Sequence, residues 1–589
     1  MDLGASLSKR GPQLPYAISS VGRFSWYFGL ISRQWRYPST QYASLHRICV
    51  IAGSLDANLV IVEDAALFPH VDRELREIEG SGVRLGACEA RAISFFRDKT
   101  GVKLPHLSGE NDGEEFIQRA QMDTENVGFL GQVILINCET PGAEHRGRSY
   151  IFEALLSPPK AMTLGDSRVL LESFQVHVLG RPFSVQAAYY CQQNGITSNC
   201  GHAAIRALMS RSGAPITTTE IDAMSGHSGC SSLMELAELA TAVEKLGASR
   251  QERAVSLLPP QLPDEAAVTR EDIVTSLVLA LESGFPAILT HTTSHVYEDG
   301  QQAAHVVAVV GYAIDRDLWH PQAVQAYNNV GRIRQSHDSA KWVRHLIVHD
   351  ENFGPYRTLD IRSFPPLEEH QHALSQELPK DLTIAKRPSL EPSAAIGLLD
   401  IHTVMWPRLL LTLARKLLEL VRVTEYPDLP GADDSQELMT ARDWGRVFFH
   451  SPREQVLRPI AVKRFDYLEH LQEFIETVKR ERQPEALSEP LRVAADIAKI
   501  LPGQADWFWM VELSHTLLYT GLDNKIGELL IGDYPTDITD DEERLRSRWW
   551  IVRLPGLVLG VVDGVAVEFE NPIKDHGPMY MAKRFPRAS

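Results

Sequence analysis

The sequence is poor in cysteine, and its few cysteines are far apart. Only six occur among 589 residues, and no two of them form a Cys-x-x-Cys pair. Thiolate zinc sites and the disulfide frameworks of small secreted proteins both depend on closely spaced cysteines. The spacing therefore predicts neither a metal site nor a disulfide scaffold, and it favours a reducing, cytoplasmic environment. No cofactor is expected, because neither glycine-rich phosphate-binding pattern, G-x-x-x-x-G-K-[ST] or G-x-G-x-x-G, occurs.

Excess basic charge and long apolar runs are also lacking. The formal net charge is -17 at pH 7 and the pI is near 5.7, which argues against a general nucleic-acid binder because such proteins need a basic face. No stretch reaches the ~18 apolar residues that span a bilayer. The best candidate, residues 409–423, carries Arg415, Lys416, Glu419 and Arg422, which is typical of an amphipathic helix packed on a core. We therefore expect no nucleic-acid partner and no membrane partner.

The chain is too long for one hydrophobic core, and its patterns divide it into regions. Residues 1–175 combine short apolar runs, at 59–62 and 133–136, with helical patterns, which predicts an N-terminal α/β accessory domain. In residues 176–365 helical patterns precede strand patterns, which predicts an α+β domain. The helical patterns there cover residues 201–210, 232–246 and 270–283, and the strand patterns cover residues 287–291, 305–312 and 342–349.

Two further regions follow. Residues 366–395 are polar and contain several prolines, which is typical of a linker or of a segment that wraps around other domains. Residues 396–589 are predicted to form a C-terminal accessory domain of the α+β class that is mainly helical. Its helical patterns cover residues 400–423, 465–482 and 490–501, and its strand pattern covers residues 558–569.

The thiol of Cys200 lies at a predicted helix start. Ser198 and Asn199 are good N-cap residues, and Ala203 and Ala204 favour a helix. A free thiol is mostly protonated at neutral pH, and either a nearby imidazolium or the positive end of a helix favours its thiolate. Cysteine also serves as a small core residue, so the case for a nucleophile depends on the polar loop before Cys200 and on partners later in the chain.

His305 and Asp350 are those candidate partners. His305 opens an apolar strand pattern, where its ring can reach a thiol while Nδ1 stays available to an orienting acceptor. Asp350 ends the next apolar run, where its carboxylate can accept from that imidazole, although aspartate is also a common turn residue. The chain thus has a thiol at a helix start, then a histidine and then a carboxylate on later strands. A nucleophile, its base and its orienting group can occur in this order.

A thioester formed at Cys200 passes through a tetrahedral oxyanion, which hydrogen-bond donors stabilise. The backbone N–H of Cys200 is one candidate donor. An upstream amide side chain is the second, and Gln193, Gln192 and Asn194 all stay open for this role.

Together these motifs resemble the papain-like cysteine peptidase superfamily, and most closely its short bacterial branch, akin to the peptidases that trim double-glycine leaders. The resemblance covers about 190 of the 589 residues. The motifs are Gln193, Cys-Gly-x-Ala-Ala at residues 200–204, Leu-x-x-Gly-x-Pro at 281–286, the histidine strand that ends in Gly-Tyr at 305–312, and Asp350 with Gly354 four positions later.

The resemblance implies a fold and a set of roles for the central region. It implies a helical lobe joined to an antiparallel sheet, with Cys200 as nucleophile, His305 as general base, Asp350 as orienting residue and Gln193 as oxyanion donor. No Asn-Ser-Trp-Gly motif follows the histidine, so Asn352 competes with Asp350 for the orienting role.

The expected function is that of a cysteine peptidase acting on a peptide or isopeptide bond. The substrate is expected to be a protein or peptide that the flanking domains select. A regulatory partner protein is a further possibility. Deamidation and transglutaminase-like transfer use the same thioester intermediate and stay open as alternatives. The third alternative, from a different class, is a non-catalytic scaffold with a degenerate peptidase fold.

Overall fold

The computed structural model describes most of the chain. It comprises residues 16–19, 31, 34–37, 42–100, 110–141, 147–159, 166–210, 216–227, 234–249, 254–256, 270–296, 302–316, 336–361, 391–398, 407–426, 445, 448–449, 455–481, 490–501, 506–533, 548–571, 573, 576–583 and 585.

The first unit combines helices with a five-stranded sheet in which each strand pairs antiparallel with the next. Parallel neighbours need a crossover of a dozen or more residues, whereas only seven residues separate the last two strands. The two predicted strands are confirmed, but the predicted α/β arrangement is wrong because the sheet is antiparallel. The strands are β1 (Tyr16–Ser19), β2 (Leu59–Asp64), β3 (Cys88–Asp98), β4 (Val127–Glu139) and β5 (Gly147–Leu156), and the helices are α1 (Tyr42–Ser54), α2 (Pro69–Gly80) and α3 (Glu110–Met122).

The central unit is α+β, as predicted: its helices precede most of the strands of a seven-stranded antiparallel sheet. The three predicted helices and three predicted strands are all present. The helices are α4 (Cys200–Met209), α5 (Thr218–Ser225), α6 (Leu236–Ser249) and α7 (Arg270–Glu282). The strands are β6 (Asp166–Val169), β9 (Ala254–Ser256), β10 (Ala287–Val296), β11 (Gln302–Ile314), β13 (Val343–Asp350), β14 (Gly354–Asp360) and β15 (Glu391–Leu398), and a separate hairpin consists of β7 (Glu172–Val178) and β8 (Arg181–Ala187).

Two strands of this sheet come from outside the predicted central region. β6 pairs with β11, although it precedes residue 176, and β15 pairs with β10, although it begins inside the predicted linker. β6 has only four residues, and both strands carry polar or small residues, so neither gives an apolar strand pattern. The remainder of the predicted linker, up to residue 390, lies outside the described residues.

The C-terminal unit is α+β, as predicted, but it contains a seven-stranded sheet where the sequence indicated a single strand region. Helices were predicted at nearly the observed places, but most strands were missed. The helices are α8 (Pro407–Glu425), α9 (Arg464–Glu481), α10 (Pro490–Ile500) and α11 (Thr516–Leu522). The sheet strands are β12 (His337–Asp338), β16 (Gln455–Lys463), β17 (Trp507–His515), β19 (Gly527–Asp533), β20 (Arg548–Leu554), β21 (Leu557–Val562) and β22 (Val565–Phe569), and a two-stranded ladder consists of β18 (Asn524–Lys525) and β23 (Gly577–Pro578).

A row of buried charged residues crosses the C-terminal sheet and explains the missed strands. Arg458 lies opposite Glu512, Glu512 opposite Glu528, and Glu528 opposite Arg553. Lys525 is within 2.6 Å of Glu512 and 3.4 Å of Glu528. These charges interrupt the apolar patterns on which strand prediction depends, yet in the fold they neutralise one another.

The same row joins the central and C-terminal units. The Arg458 guanidinium pairs with Glu282 at the end of α7, and the Ser283 hydroxyl accepts from the backbone N–H of Ala461. One hydrophobic cluster continues from α4 and α7 into strands β16 and β17. In the described ranges, no helix is long and apolar enough to cross a bilayer.

Candidate active site at the start of helix α4

Cys200 is the first residue of α4, and the helix start is closed by a capping box. The Asn199 side chain accepts from the backbone N–H groups of Gly201 and His202 at 3.0 and 3.3 Å. In return, Nδ1 of His202 accepts from the backbone N–H of Asn199 at 3.2 Å. This reciprocal cap holds the thiol at the positive end of the helix dipole, where a developing thiolate is stabilised.

Three reactive groups from separate elements meet at this helix start. The Cys200 sulfur, a ring nitrogen of His305 and a carboxylate oxygen of Glu351 all lie within 4.8 Å of one another. Nε2 of His305 is 3.3 Å from Oδ1 of Asp350, and Nδ1 is 3.8 Å from Oε1 of Glu351. The expectation that Nδ1 would face the orienting acceptor is therefore wrong, because Nε2 faces Asp350.

The cluster is nearly shielded from water. Cys200 is 6% exposed and Glu351 4%, while the His305 side chain is 12% exposed. Charge interactions between these groups are therefore stronger than they would be on a solvated surface.

Asp350 is held as a carboxylate. Burial alone would raise its pKa, but the hydrogen bond from His305 and the positive charges of His305 and Arg357 lower the pKa below its usual value. Nη1 of Arg357 lies 3.2 Å from Oδ2, and the backbone N–H of Asn352 donates to Oδ1 at 3.0 Å. An ionised Asp350 can fix the orientation of the imidazole and stabilise its protonated form.

The environment of His305 favours the imidazolium. Burial alone would lower its pKa, but the hydrogen bonds to Asp350 and to Cys200, with the charges of both groups, raise the pKa to about 10. A protonated His305 beside Cys200 matches the resting state of an activated thiol.

This raised pKa predicts how His305 contributes to stability at different pH values. Because the folded value of about 10 exceeds the ordinary value of 6.5, the contribution is complete below pH 6.5 and is lost as the pH rises through 10. His305→Gln is therefore expected to lower the free energy of unfolding more at pH 6 than above pH 10. Urea unfolding of both proteins at the two pH values measures this difference, and an equal effect at both would contradict the prediction.

The candidate oxyanion donors differ in how their side chains are engaged. The Gln192 side chain accepts from the Ile151 N–H and donates to the Glu351 carbonyl, both at 2.8 Å. The Asn194 side chain accepts from three successive backbone N–H groups, those of residues 196–198, at 2.8 to 3.0 Å. Both amides are thus used to hold the loop. The Gln193 side chain is half-buried, and in the described part of the chain no residue hydrogen-bonds to it.

Within the described residues the Asn352 side chain makes no hydrogen bond to the imidazole, but Asn352 supports both acids. Its backbone N–H donates to Asp350, and its Nδ2 donates to Oε1 of Glu351 at 3.0 Å. Asp350 therefore contacts His305 directly, whereas Asn352 contacts the carboxylates of Asp350 and Glu351.

Glu351 is a site residue that the sequence reasoning missed. Residues alternate between the two faces of a strand, so the sequence pattern gives no reason to place the neighbour of Asp350 beside His305. The chain turns directly after Asp350, and this turn brings both carboxyl groups to the same imidazole. Burial, reinforced by the charge of Asp350, raises the pKa of Glu351 to about 7. The sequence signal that could have indicated Glu351 is the pair of successive acids at the end of the strand.

The first unit anchors the turn that carries these acids. The Glu351 carbonyl accepts from the Ser44 hydroxyl at 3.0 Å and from the Tyr190 hydroxyl at 3.3 Å. Arg47 donates to the carbonyls of Pro355 and Tyr356 at 3.2 and 2.6 Å. Helix α1 therefore positions the acids, although it lies about 300 residues earlier in the chain.

The buried ion pair of Glu74 and Arg206 stabilises the loop before Cys200. The Glu74 carboxylate accepts from Nδ2 of Asn194 at 2.9 Å and from Nη2 of Arg206 at 2.7 Å. Arg206 also donates to the Thr218 hydroxyl at 3.2 Å. Helix α2 of the first unit thus holds both the loop and helix α4.

Gly354 is required where the turn packs on α1. Its φ of +105° lies in a region that disfavours L side chains, and an added Cβ would be 2.7 Å from Arg47 Cβ and 3.3 Å from Ser44 Cα. Gly354→Ala is therefore expected to destabilise the protein by about 1–3 kcal/mol in urea unfolding. Gly82→Ala is the matched control, because the φ of Gly82 is +85° and an added Cβ would meet no atom of the described residues within 4 Å. A smaller loss for Gly354→Ala than for the control would contradict the proposed packing role.

The same cluster has the donor set of a metal site. Cys200, His305 and Glu351 offer sulfur, nitrogen and oxygen ligands, a combination that zinc accepts in tetrahedral sites. The hydrogen bond between the second ring nitrogen of His305 and Asp350 also resembles the support that metal-bound histidines receive.

Four of the predicted residues therefore lie in one neighbourhood: Cys200 and Asp350 each interact with His305, and Gln193 lies on the adjoining loop. No family model, curated protein or solved structure matches the chain. The roles of these residues stay predictions that rest on geometry.

Proposed function

We propose that the chain is a papain-like cysteine peptidase that hydrolyses a peptide or isopeptide bond through a thioester on Cys200. The observation that carries the proposal is the meeting of Cys200, His305 and Asp350, which come from a helix start and two strands. The order of helices first and an antiparallel sheet second also agrees with the resemblance to that superfamily.

In the proposed mechanism the Cys200 sulfur attacks the carbonyl carbon of the scissile amide, and its proton resides on His305. The C–N bond breaks as His305 protonates the leaving amine. His305 then deprotonates a water molecule, which hydrolyses the thioester and releases the acid and the free thiol. Asp350 keeps the ring oriented through Nε2.

The oxyanion of each tetrahedral intermediate needs donors aimed at its position. The backbone N–H of Cys200 and the side chain of Gln193 fill this role in the proposal. Gln193 is favoured over its neighbours because the Gln192 and Asn194 amides already hold the loop.

The low exposure of the thiol supports action on a selected partner protein instead of broad digestion. Mass spectrometry of a protein extract incubated with the enzyme tests this, with Cys200→Ala as control. New N-termini in few proteins are expected. Glutamine residues heavier by about one mass unit, or new amine cross-links, would instead identify the deamidase or transglutaminase-like alternative. No change relative to Cys200→Ala would favour the non-catalytic scaffold.

The metal-ligand geometry favours a second candidate, a metal-dependent hydrolase at the same atoms. Metal analysis of the purified protein and treatment with a chelator separate the two. The thiol mechanism predicts that the chelator leaves activity unchanged or raises it. Stoichiometric zinc together with loss of activity on chelation, restored by zinc, would establish the second candidate.

A further inference from the structure

A cavity of about 390 Å³ lies where the central and C-terminal units meet. One wall comes from the segment before β13, which supplies His337 and Lys341, and another comes from helix α8. Its volume falls within the range of roughly 300–1,000 Å³ that is typical of small-molecule pockets. We refer to it as the α8 cavity.

The α8 cavity is positively charged in a strongly acidic protein. Three cations, those of Lys341, Arg415 and Arg422, and one carboxylate, that of Glu419, line it. The lining therefore carries two net positive charges, whereas the whole chain carries -17. Concave sites with one sign of charge concentrate ligands of the opposite sign.

Two of these cations are available for a ligand. Arg422 is already paired with Glu419 through bonds of 2.6 and 2.9 Å. Arg415 is oriented by Ser336, whose hydroxyl and carbonyl accept from it at 2.8 and 3.3 Å. Across the described ranges, no carboxylate lies within ion-pair distance of Lys341 or Arg415.

A buried imidazole lies in the wall of the α8 cavity beside the cations. His337 is 4% exposed and lines the cavity. Burial, and then the charges of Lys341 and Arg415, lower the pKa of His337 to about 4. The neutral ring therefore leaves the positive charge of the lining to the lysine and the arginines.

The remaining wall is partly apolar. Leu418 and Phe449 face the cavity beside the polar groups. A bare phosphate ion would leave most of this volume and the apolar wall unused, whereas a phosphate with an organic group would contact both.

We propose that the α8 cavity binds a phosphate monoester with an apolar organic group. Lys341 and Arg415 hold the phosphate, and Leu418 and Phe449 contact the organic group. A dianionic phosphate matches the two net charges of the lining and accepts several charge-assisted hydrogen bonds.

The α8 cavity is separate from the candidate active site. Strand β13 runs from the segment that carries Lys341 to Asp350, and eight residues of strand extend roughly 26 Å at about 3.3 Å per residue. Ligand binding here is therefore independent of the proposed thiol chemistry, and either can fail without the other.

Calorimetric titration of the full chain with phenyl phosphate and with inorganic phosphate tests the proposal. Wild type is expected to bind phenyl phosphate with one site and at least tenfold more tightly than inorganic phosphate. Lys341→Gln and Arg415→Gln should each weaken binding by on the order of tenfold. Lys416→Gln is the matched control, since Lys416 is exposed on the same helix and does not line the cavity.

Three results would overturn the proposal. They are no binding of phenyl phosphate at millimolar concentration, equal affinities for the two probes, and equal affinities of wild type and Lys341→Gln. Thermal melting of each variant checks its fold, and Lys341→Gln keeps the test valid if loss of the Arg415–Ser336 contacts unfolds the other variant.

Discussion

Cys200→Ala is expected to lower the rate of amide-bond hydrolysis by on the order of 10⁴-fold or more. In the proposed mechanism the nucleophile and its base act together, so the remaining residues of the site cannot replace the lost thiol. The same change should abolish the rapid reaction of the protein with an alkylating reagent at neutral pH. Intact-protein mass spectrometry after brief exposure to iodoacetamide measures the modification, and peptide mapping locates it.

Cys191→Ala is the matched control for this prediction. Cys191 is 3% exposed and lies with Cys200 beside one small cavity. Burial raises the pKa of Cys191 to about 12, so its thiol should stay unreactive. Cys191→Ala should therefore keep wild-type labelling and activity, and equal labelling of wild type and Cys200→Ala would remove Cys200 as the nucleophile.

Arg458→Met is expected to destabilise the protein by about 3–5 kcal/mol, the cost of breaking a buried ion pair by removing one partner. Arg458 is 1% exposed and lies between two carboxylates, those of Glu282 and Glu512. Burial alone would raise the pKa of Glu512, but Lys525 and Arg458 lower it below its usual value. Without the guanidinium, two buried carboxylates lose their shared cation, so the junction between the central and C-terminal units should weaken.

Urea unfolding measures this loss, with Arg480→Met as control. Arg480 is exposed on α9, and among the described residues its hydrogen bonds stay within its own helix. Its replacement should therefore change the free energy of unfolding by about 0.5 kcal/mol or less. If Arg458→Met is no more harmful than this control, the buried row contributes no net stability.

The sequence predicted the local part of the candidate site well, for identifiable reasons. Asn199 and the alanines after Cys200 indicate a helix start through capping and propensity, which act within a few residues. His305 and Asp350 flank apolar strand patterns that the fold confirms. Capping and apolar periodicity are local signals, and the structure adds the long-range fact that these three segments meet.

What could not be predicted depends on contacts between distant segments. The turn after Asp350 rotates Glu351 toward His305, and α1 fixes that turn through Ser44 and Arg47. Arg458 and its partners look unlike strand residues until the cross-strand neighbours are known. In both cases the decisive partner is too far along the chain for pattern reasoning to supply it.

The most direct test of the proposed function is the alkylation rate of Cys200 at about pH 6 in wild type and in His305→Asn. At this pH an ordinary thiol is almost wholly protonated and reacts slowly. If His305 holds the Cys200 proton, wild type should react at least tenfold faster than His305→Asn. Equal rates in the two proteins would contradict the claim that this histidine activates this thiol.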